Sequence, residues 1–244
     1  MAGEGGTAGE VSGCAGIEAN LASVMDRVGR AARRSGREPR DVTVVAVTKT
    51  VPVEGIMEAV RLGITDIGEN RVQEARGKYA AIGGQVKWHM IGHLQSNKAK
   101  IALEMFDIIH SLDTLSLARE LCRLAAVRGK PARTLVQVNV SGEESKFGLP
   151  PAELPAFLRA VSEMGNVRVE GLMTIAPFVD DPELARPHFR RLKGLFEAAA
   201  RVPLPGVEMR YLSMGMTNDF EVAIEEGANV VRLGTAIFGP RPAR

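Results

Sequence analysis

A chain of 244 residues with 45% hydrophobic residues can build a sizeable core, and its 25% charged fraction is that of a soluble globular protein. The formal net charge of +2, with no aromatic residues interleaved in a basic patch, argues against nucleic acid. No apolar run reaches the ~20 residues that span a bilayer, and two cysteines without Cys-x-x-Cys spacing exclude a disulfide scaffold.

The chain begins with a Gly/Ala-rich stretch, Met1 to Gly16. It lacks the basic start and apolar core of a secretory signal, so a cytoplasmic setting is expected. Its composition predicts a disordered tail over residues 1–15, followed by one domain over 16–244. A helix is predicted over Ile17 to Arg34, and the basic run Arg30 to Arg40 reads as a solvated face and the loop after it. Val42 to Val47 is a continuous apolar run, as a buried parallel strand would be. A helix over Val53 to Leu62 then stops at Gly63, and a second strand follows at Thr65 to Gly68. After a helix over Asn70 to Ala81 come strands at Val86 to Ile91 and Phe106 to His110. The helix Leu115 to Arg128 ends at Gly129, ahead of a strand at Thr134 to Asn139. Leu154 to Met164 is helical, then Val167 to Met173 extended, and Pro182 to Arg201 is the longest remaining helical pattern. The last strands are Glu208 to Ser213 and Asn229 to Leu233, with a helix over Asn218 to Glu226 between them.

Eight strands alternating with helices predict a parallel α/β fold, and eight closes a (β/α)8 TIM barrel. The competing doubly wound sheet usually carries a Gly-rich turn after its first strand; here that turn is Thr48-Lys49-Thr50-Val51-Pro52, without glycine.

In a barrel the chemistry sits at the C-terminal strand ends. Lys49 shares a strand face with Val45 and Val47, so it points into the mouth if they point into the barrel, where partial desolvation would free its amine as a nucleophile. A surface lysine in a βα loop is the alternative. Arg232 lies inside the last strand, where a charge needs an internal ion pair or a ligand as partner. Gly234-Thr235 and the run Ser213-Met214-Gly215-Met216-Thr217 follow strands eight and seven, the usual place of a barrel's phosphate site. Asn70 and Gln73 fit a helix N-cap pair that also lies at the mouth. His89 reads as a residue packed in the barrel or meeting an internal partner, and Lys146 is the rival Schiff-base lysine. The four histidines, at 89, 93, 110 and 188, have no metal-site spacing.

Several segments carry a resemblance: Ala46-Val47-Thr48-Lys49, Gly68-Glu69-Asn70-Arg71-Val72-Gln73-Glu74, Trp88 to Lys98, Gly171-Leu172-Met173-Thr174, Leu212 to Met216 and Val231 to Gly239. Together they span Ile17 to Arg241, and the chain resembles the pyridoxal phosphate (PLP) homeostasis proteins, whose fold is similar to the barrel domain of alanine racemase. The resemblance implies a fold type III PLP barrel with an extra N-terminal helix and no C-terminal β-domain, monomeric or weakly dimeric. It implies PLP bound covalently as a Schiff base on Lys49, Arg232 facing the pyridine nitrogen, and Asn70 near the ring. Ser213, Gly234 and Thr235, with the Met214 backbone, would hold the phosphate. The implied role is non-catalytic: to hold PLP and pass it to PLP-dependent apo-enzymes. An arginine against the ring nitrogen weakens the electron sink, and neither tyrosine, Tyr79 or Tyr211, is well placed as the second base of a racemase. A low-activity amino-acid racemase and a Schiff-base aldolase-type barrel are the competing readings.

Overall fold

The computed structural model describes residues 11–143 and 146–240, with side chains from residue 16 onward. Eight parallel strands close in chain order: β1 (Thr43–Val47), β2 (Asp66–Glu69), β3 (Lys87–Met90), β4 (Ile108–Leu112), β5 (Ala132–Gln137), β6 (Val167–Met173), β7 (Val207–Ser213) and β8 (Val230–Leu233). Closure is direct: Val45 of β1 faces Asp66 of β2 on one side and Arg232 of β8 on the other. All eight strands lie where the apolar runs predicted them, with no end shifted by more than two residues.

The helices are α1 (Val11–Arg34), α2 (Val53–Arg61), α3 (Val72–Ile82), α4 (Ala99–Met105), α5 (Leu115–Arg128), α6 (Leu154–Ser162), α7 (Arg186–Ala200), α8 (Phe220–Glu225) and α9 (Thr235–Phe238). The extra N-terminal helix is α1. It takes in residues 11–15 of the expected tail, and residues 1–10 lie outside the described residues. Glycines at 13 and 16 cost about 1 kcal/mol each in a helix and do not stop it. Asn20 donates to the Ile237 carbonyl at 3.1 Å, and Arg27 pairs with Glu221 at 2.8 Å while lying over the Phe220 ring. These contacts seat α1 against α8 and α9, outside the seam where β8 meets β1. The pattern over Pro182 to Arg201 divides into a 3-10 turn, Pro182–Ala185, and α7; Pro187 sits in the first turn of α7, where its missing N–H costs nothing.

Side chains alternate as strand geometry requires. Val44 and Ala46 face the helices within the outer core, whereas Val45 points inward. A Cβ on Gly68 would come within 2.9 Å of Val45 Cγ1, so β2 approaches the barrel interior there only as glycine. Inside the barrel, Ile108, Leu135 and Met173 form a small apolar cluster with Tyr211. Beside it the interior holds buried polar side chains, Asp66, His89, His110, Ser213 and Arg232.

Candidate functional site

The β1 end makes a tight turn that presents Lys49. Thr48 is fully buried; its N–H joins the Gly68 carbonyl and its hydroxyl donates to Glu69 Oε1 at 2.6 Å. The Val51 N–H returns to the Thr48 carbonyl at 2.9 Å, and Thr50 takes φ of 66°, a left-handed conformation uncommon outside glycine. Such a turn persists only when its surroundings hold it. Here Lys78 of α3 donates to the Thr48 carbonyl and to Glu69 Oε1, both at 2.7 Å, and to Glu74 Oε1 at 2.9 Å. Glu74 in turn accepts from the Thr50 N–H. Both neighbours of Lys49 are thus tied to one buried ion-pair network, and Lys49 itself is half-buried between them.

Burial pushes the Glu69 carboxyl above its usual range, although Lys78 and Thr48 oppose the shift. Glu74 is held below its usual range: its burial acts upward but is outweighed by Lys78 and the Thr50 N–H. Sequence reasoning took Asn70 and Gln73 from this segment and missed Glu69, Glu74 and Lys78. The i, i+4 spacing of Glu74 and Lys78 was the available signal.

Arg232 is fully buried in β8. Among the described residues no ion pair reaches it; Nη1 donates to Ser213 Oγ at 2.6 Å and Nη2 to the Thr174 carbonyl at 2.8 Å. The internal salt bridge, one of two readings of its sequence position, is therefore not what holds it. Burial lowers its pKa to about 10, against the opposing charge of Asp219.

Ser213 ends β7 fully buried, with its hydroxyl between Arg232 and His110 Nδ1, the latter at 3.1 Å. It lies beneath the loop expected to hold an anion, and can give that loop a proton only when His110 supplies its own to the Ser213 oxygen. The Met214 N–H is donated to the Val230 carbonyl and its side chain is in the core, which leaves the loop beyond it, from Gly215, to face a ligand. Gly215 accepts from the Arg232 N–H, and the Met216 N–H is fixed by Asp219 Oδ1 at 2.6 Å. Thr235 Oγ1 meets Thr217 Oγ1 at 3.2 Å, so the loops after β7 and β8 converge at two hydroxyls, and Gly234 packs at the β1 end against Val47.

Asn70 is half-buried after β2, but it does not cap α3: Arg71 holds that position, with no side-chain cap bond, because the chain stays extended one residue further. Its backbone instead packs on Gly92, where a Cβ would lie 2.3 Å from the Asn70 carbonyl oxygen. Lys146, the rival lysine, follows β5, across the barrel from β1. It is ion-paired with Glu143 at 3.1 Å. Lys49, Arg232 and the Gly234-Thr235 loop lie together on the β7–β8–β1 side. His89 meets internal partners, as its strand position predicts: Asp66 Oδ1 at 2.9 Å and His110 Nε2 at 2.8 Å. Among the described residues no cluster suits a metal ion, and no helix is long and apolar enough to cross a membrane.

A (β/α)8 barrel with a lysine after β1, a buried arginine on β8 and a Gly-Thr loop beside them defines a class, and the model of the alanine racemase N-terminal domain matches residues 19–242. The pyridoxal phosphate homeostasis protein of Aquifex aeolicus is 43% identical over 222 residues, covering 91% of this chain and 96% of that one. The chain belongs to the family of pyridoxal phosphate homeostasis proteins. Two solved structures are similar: a protein of unknown function from Bifidobacterium adolescentis (37% identity, TM-score 0.87, covering 93% of this chain and 96% of that one), and PipY of Synechococcus elongatus with PLP bound (36%, TM-score 0.79, 91% and 100%).

Proposed function

We propose that this chain binds PLP at the barrel mouth as a Schiff base on Lys49, and that it holds and supplies the cofactor to PLP-dependent apo-enzymes in the cytoplasm without catalysing a reaction of its own. The observation that carries this reading is Arg232, a buried cation that among the described residues touches only neutral acceptors and lies one strand from the Lys49 turn. A charge so placed calls for an acceptor ligand, and a phosphate-bearing ligand suits the converging hydroxyls of Thr217 and Thr235.

When bound, the cofactor supplies an aldehyde for a lysine amine, a ring nitrogen and a phosphate. Lys49 would take the aldehyde, held in place by the turn that Lys78 and Glu74 anchor. Arg232 would donate to the ring nitrogen; having donors only, it keeps that nitrogen unprotonated and the ring a weak electron sink. Gly234 and Thr235 would take the phosphate, with Ser213 and Met214 supporting the loop from below. Asn70 would flank the ring. The tyrosines support a non-catalytic role. Tyr211 sits in the apolar cluster, and Tyr79 packs outside the barrel, 5.3 Å from the Trp88 ring. Relatives carrying a homeostasis name rather than an enzyme's point the same way.

The test is the visible absorption spectrum of purified protein with PLP, wild type beside Lys49→Ala. A band present in wild type, bleached by borohydride and lost in the variant is the expected result. No band in wild type with excess PLP would remove the cofactor and favour the aldolase-type reading, whereas a band surviving in Lys49→Ala would move the attachment to Lys146.

A further inference from the structure

A chain of hydrogen bonds crosses the barrel interior from base to mouth. Its members come from five strands: Asp66 (β2), His89 (β3), His110 (β4), Ser213 (β7) and Arg232 (β8), with successive contacts of 2.9, 2.8, 3.1 and 2.6 Å. All five are buried. At its lower end the chain reaches a cavity of about 60 Å³ at the barrel base, lined by Asp66, His89 and His110 together with Lys87, Asp107 and Arg133. That volume admits a few water molecules.

The two ends fix which way the protons point. Arg232 can only donate, and an ionised Asp66 can only accept. With both imidazoles neutral, Asp66 takes the His89 Nε2 proton, His89 Nδ1 takes the His110 Nε2 proton, and His110 Nδ1 takes the Ser213 hydroxyl proton. The Ser213 oxygen accepts from Arg232. In this state the Ser213 proton points down, away from the loops at the mouth. Double protonation of His89 changes every link above it. Both His89 nitrogens then donate: the His110 Nε2 proton passes to His89 Nδ1 as the Ser213 hydroxyl proton passes to His110 Nδ1, the Ser213 oxygen takes its new proton from the mouth, and the His110 Nδ1–H donates to that oxygen. The Ser213 hydroxyl is left to donate elsewhere, and the anion loop after β7 begins at the next residue.

We propose that Asp66, His89 and His110 are positioning residues that switch Ser213: a proton that enters the chain at Ser213 from the mouth, and leaves His89 doubly protonated beside Asp66, turns the Ser213 hydroxyl from His110 toward the bound phosphate. The switch rests on the reading of the mouth as a PLP site. Charges facing it from other elements are few. Lys87 acts on Asp66, Asp219 on Arg232, and Arg133 is tied to Glu170 by two contacts of 2.7 Å; Asp107 gives an oxygen to the Trp88 N–H, and Tyr211 adds a neutral phenol. Burial, with the charges of His89 and Arg232, holds the His110 pKa well below that of a free imidazole, so His110 relays a proton without becoming cationic.

The direct test is ring-nitrogen NMR of the protein without PLP between about pH 8 and pH 5. Both imidazoles are expected as Nε2–H tautomers at the alkaline end. Wherever His89 is doubly protonated, His110 is expected as the neutral Nδ1–H tautomer. His110 remaining Nε2–H once His89 is protonated, or becoming cationic itself, would overturn the switch. The second measurement compares binding of PLP and pyridoxal, whose ratio isolates the phosphate. In wild type that ratio is expected to rise about tenfold on acidification, the scale of one charge-assisted hydrogen bond. His89→Gln, which cannot be protonated, should show only the change due to the phosphate's own titration; an equal rise in both proteins would also sink the proposal. If no PLP binds at any pH while the tautomers still switch, the cofactor reading fails and the relay stands.

Discussion

Replacing Lys78 with methionine tests the network that shapes the Lys49 turn. The substitution keeps the apolar stem and removes the ammonium that neutralises Glu69. Lys78 contacts Glu69, Glu74 and the Thr48 carbonyl within 2.7–2.9 Å, and the Glu69 side chain is 0% exposed, with no hydrogen-bond partner for its Oε2 among the described residues. Removing one partner of such a pair leaves an uncompensated buried charge, which costs about 3–5 kcal/mol. For a chain of this size 1 kcal/mol moves Tm by about 2–4 °C, so the expected loss is at least about 6 °C near neutral pH. The pH dependence follows from Glu69, whose pKa is already raised by burial and would rise further without Lys78. A carboxyl with a raised folded-state pKa favours the folded state while protonated and loses that contribution as pH rises through the folded value. The Tm deficit of Lys78→Met should therefore shrink as pH falls to about 5, approaching the unfolded glutamate pKa of about 4.3. Adding Glu69→Gln should recover much of the deficit at neutral pH, because no buried charge remains. Thermal melts of the three proteins at the two pH values decide the matter. A deficit below about 2 °C, or one indifferent to pH, would refute the reasoning that the pair is buried and coupled.

Three further outcomes follow from the same geometry. Arg232→Met removes a buried cation that has no ion-pair partner among the described residues; the protein without cofactor should melt no lower than wild type, since apolar replacements of buried charges are often neutral or stabilising, while PLP retention measured by dialysis falls at least about tenfold. Asp66 is held below the usual carboxylate range: burial acts upward, but hydrogen bonds from His89 and Thr65 and the charges of His89 and Lys87 outweigh it. Its stabilisation is present above the unfolded pKa of about 3.9 and is lost as pH falls through the folded value. Asp66→Asn should therefore lower the urea midpoint at neutral pH, and the gap to wild type should close below about pH 4; a gap that stays constant with pH counts against the ionised relay. Gly92→Ala would place a Cβ 2.3 Å from the Asn70 carbonyl oxygen, which should cost at least about 1–3 kcal/mol in chemical denaturation, as overpacking does, and weaken PLP binding by displacing Asn70.

The strand count and the closed barrel were legible in the sequence because each buried parallel strand is a short apolar run, and such runs depend on local residues alone. Val45 likewise announced its inward face through period two. Short or uncapped helices did not announce themselves. Helix α4 begins at Ala99 behind Lys98 with no side-chain cap, and α9 is a single turn after Gly234. Asn70 had the composition of an N-cap, yet Arg71 takes that position and Asn70 packs on Gly92 one residue before it. The buried side chains were decided by tertiary structure. Asp66, His89, His110, Ser213 and Arg232 are separated by 23, 21, 103 and 19 positions, so no local pattern links them. They meet because closure brings β7 and β8 against β2 to β4 across one interior, where desolvated polar groups must find partners in one another.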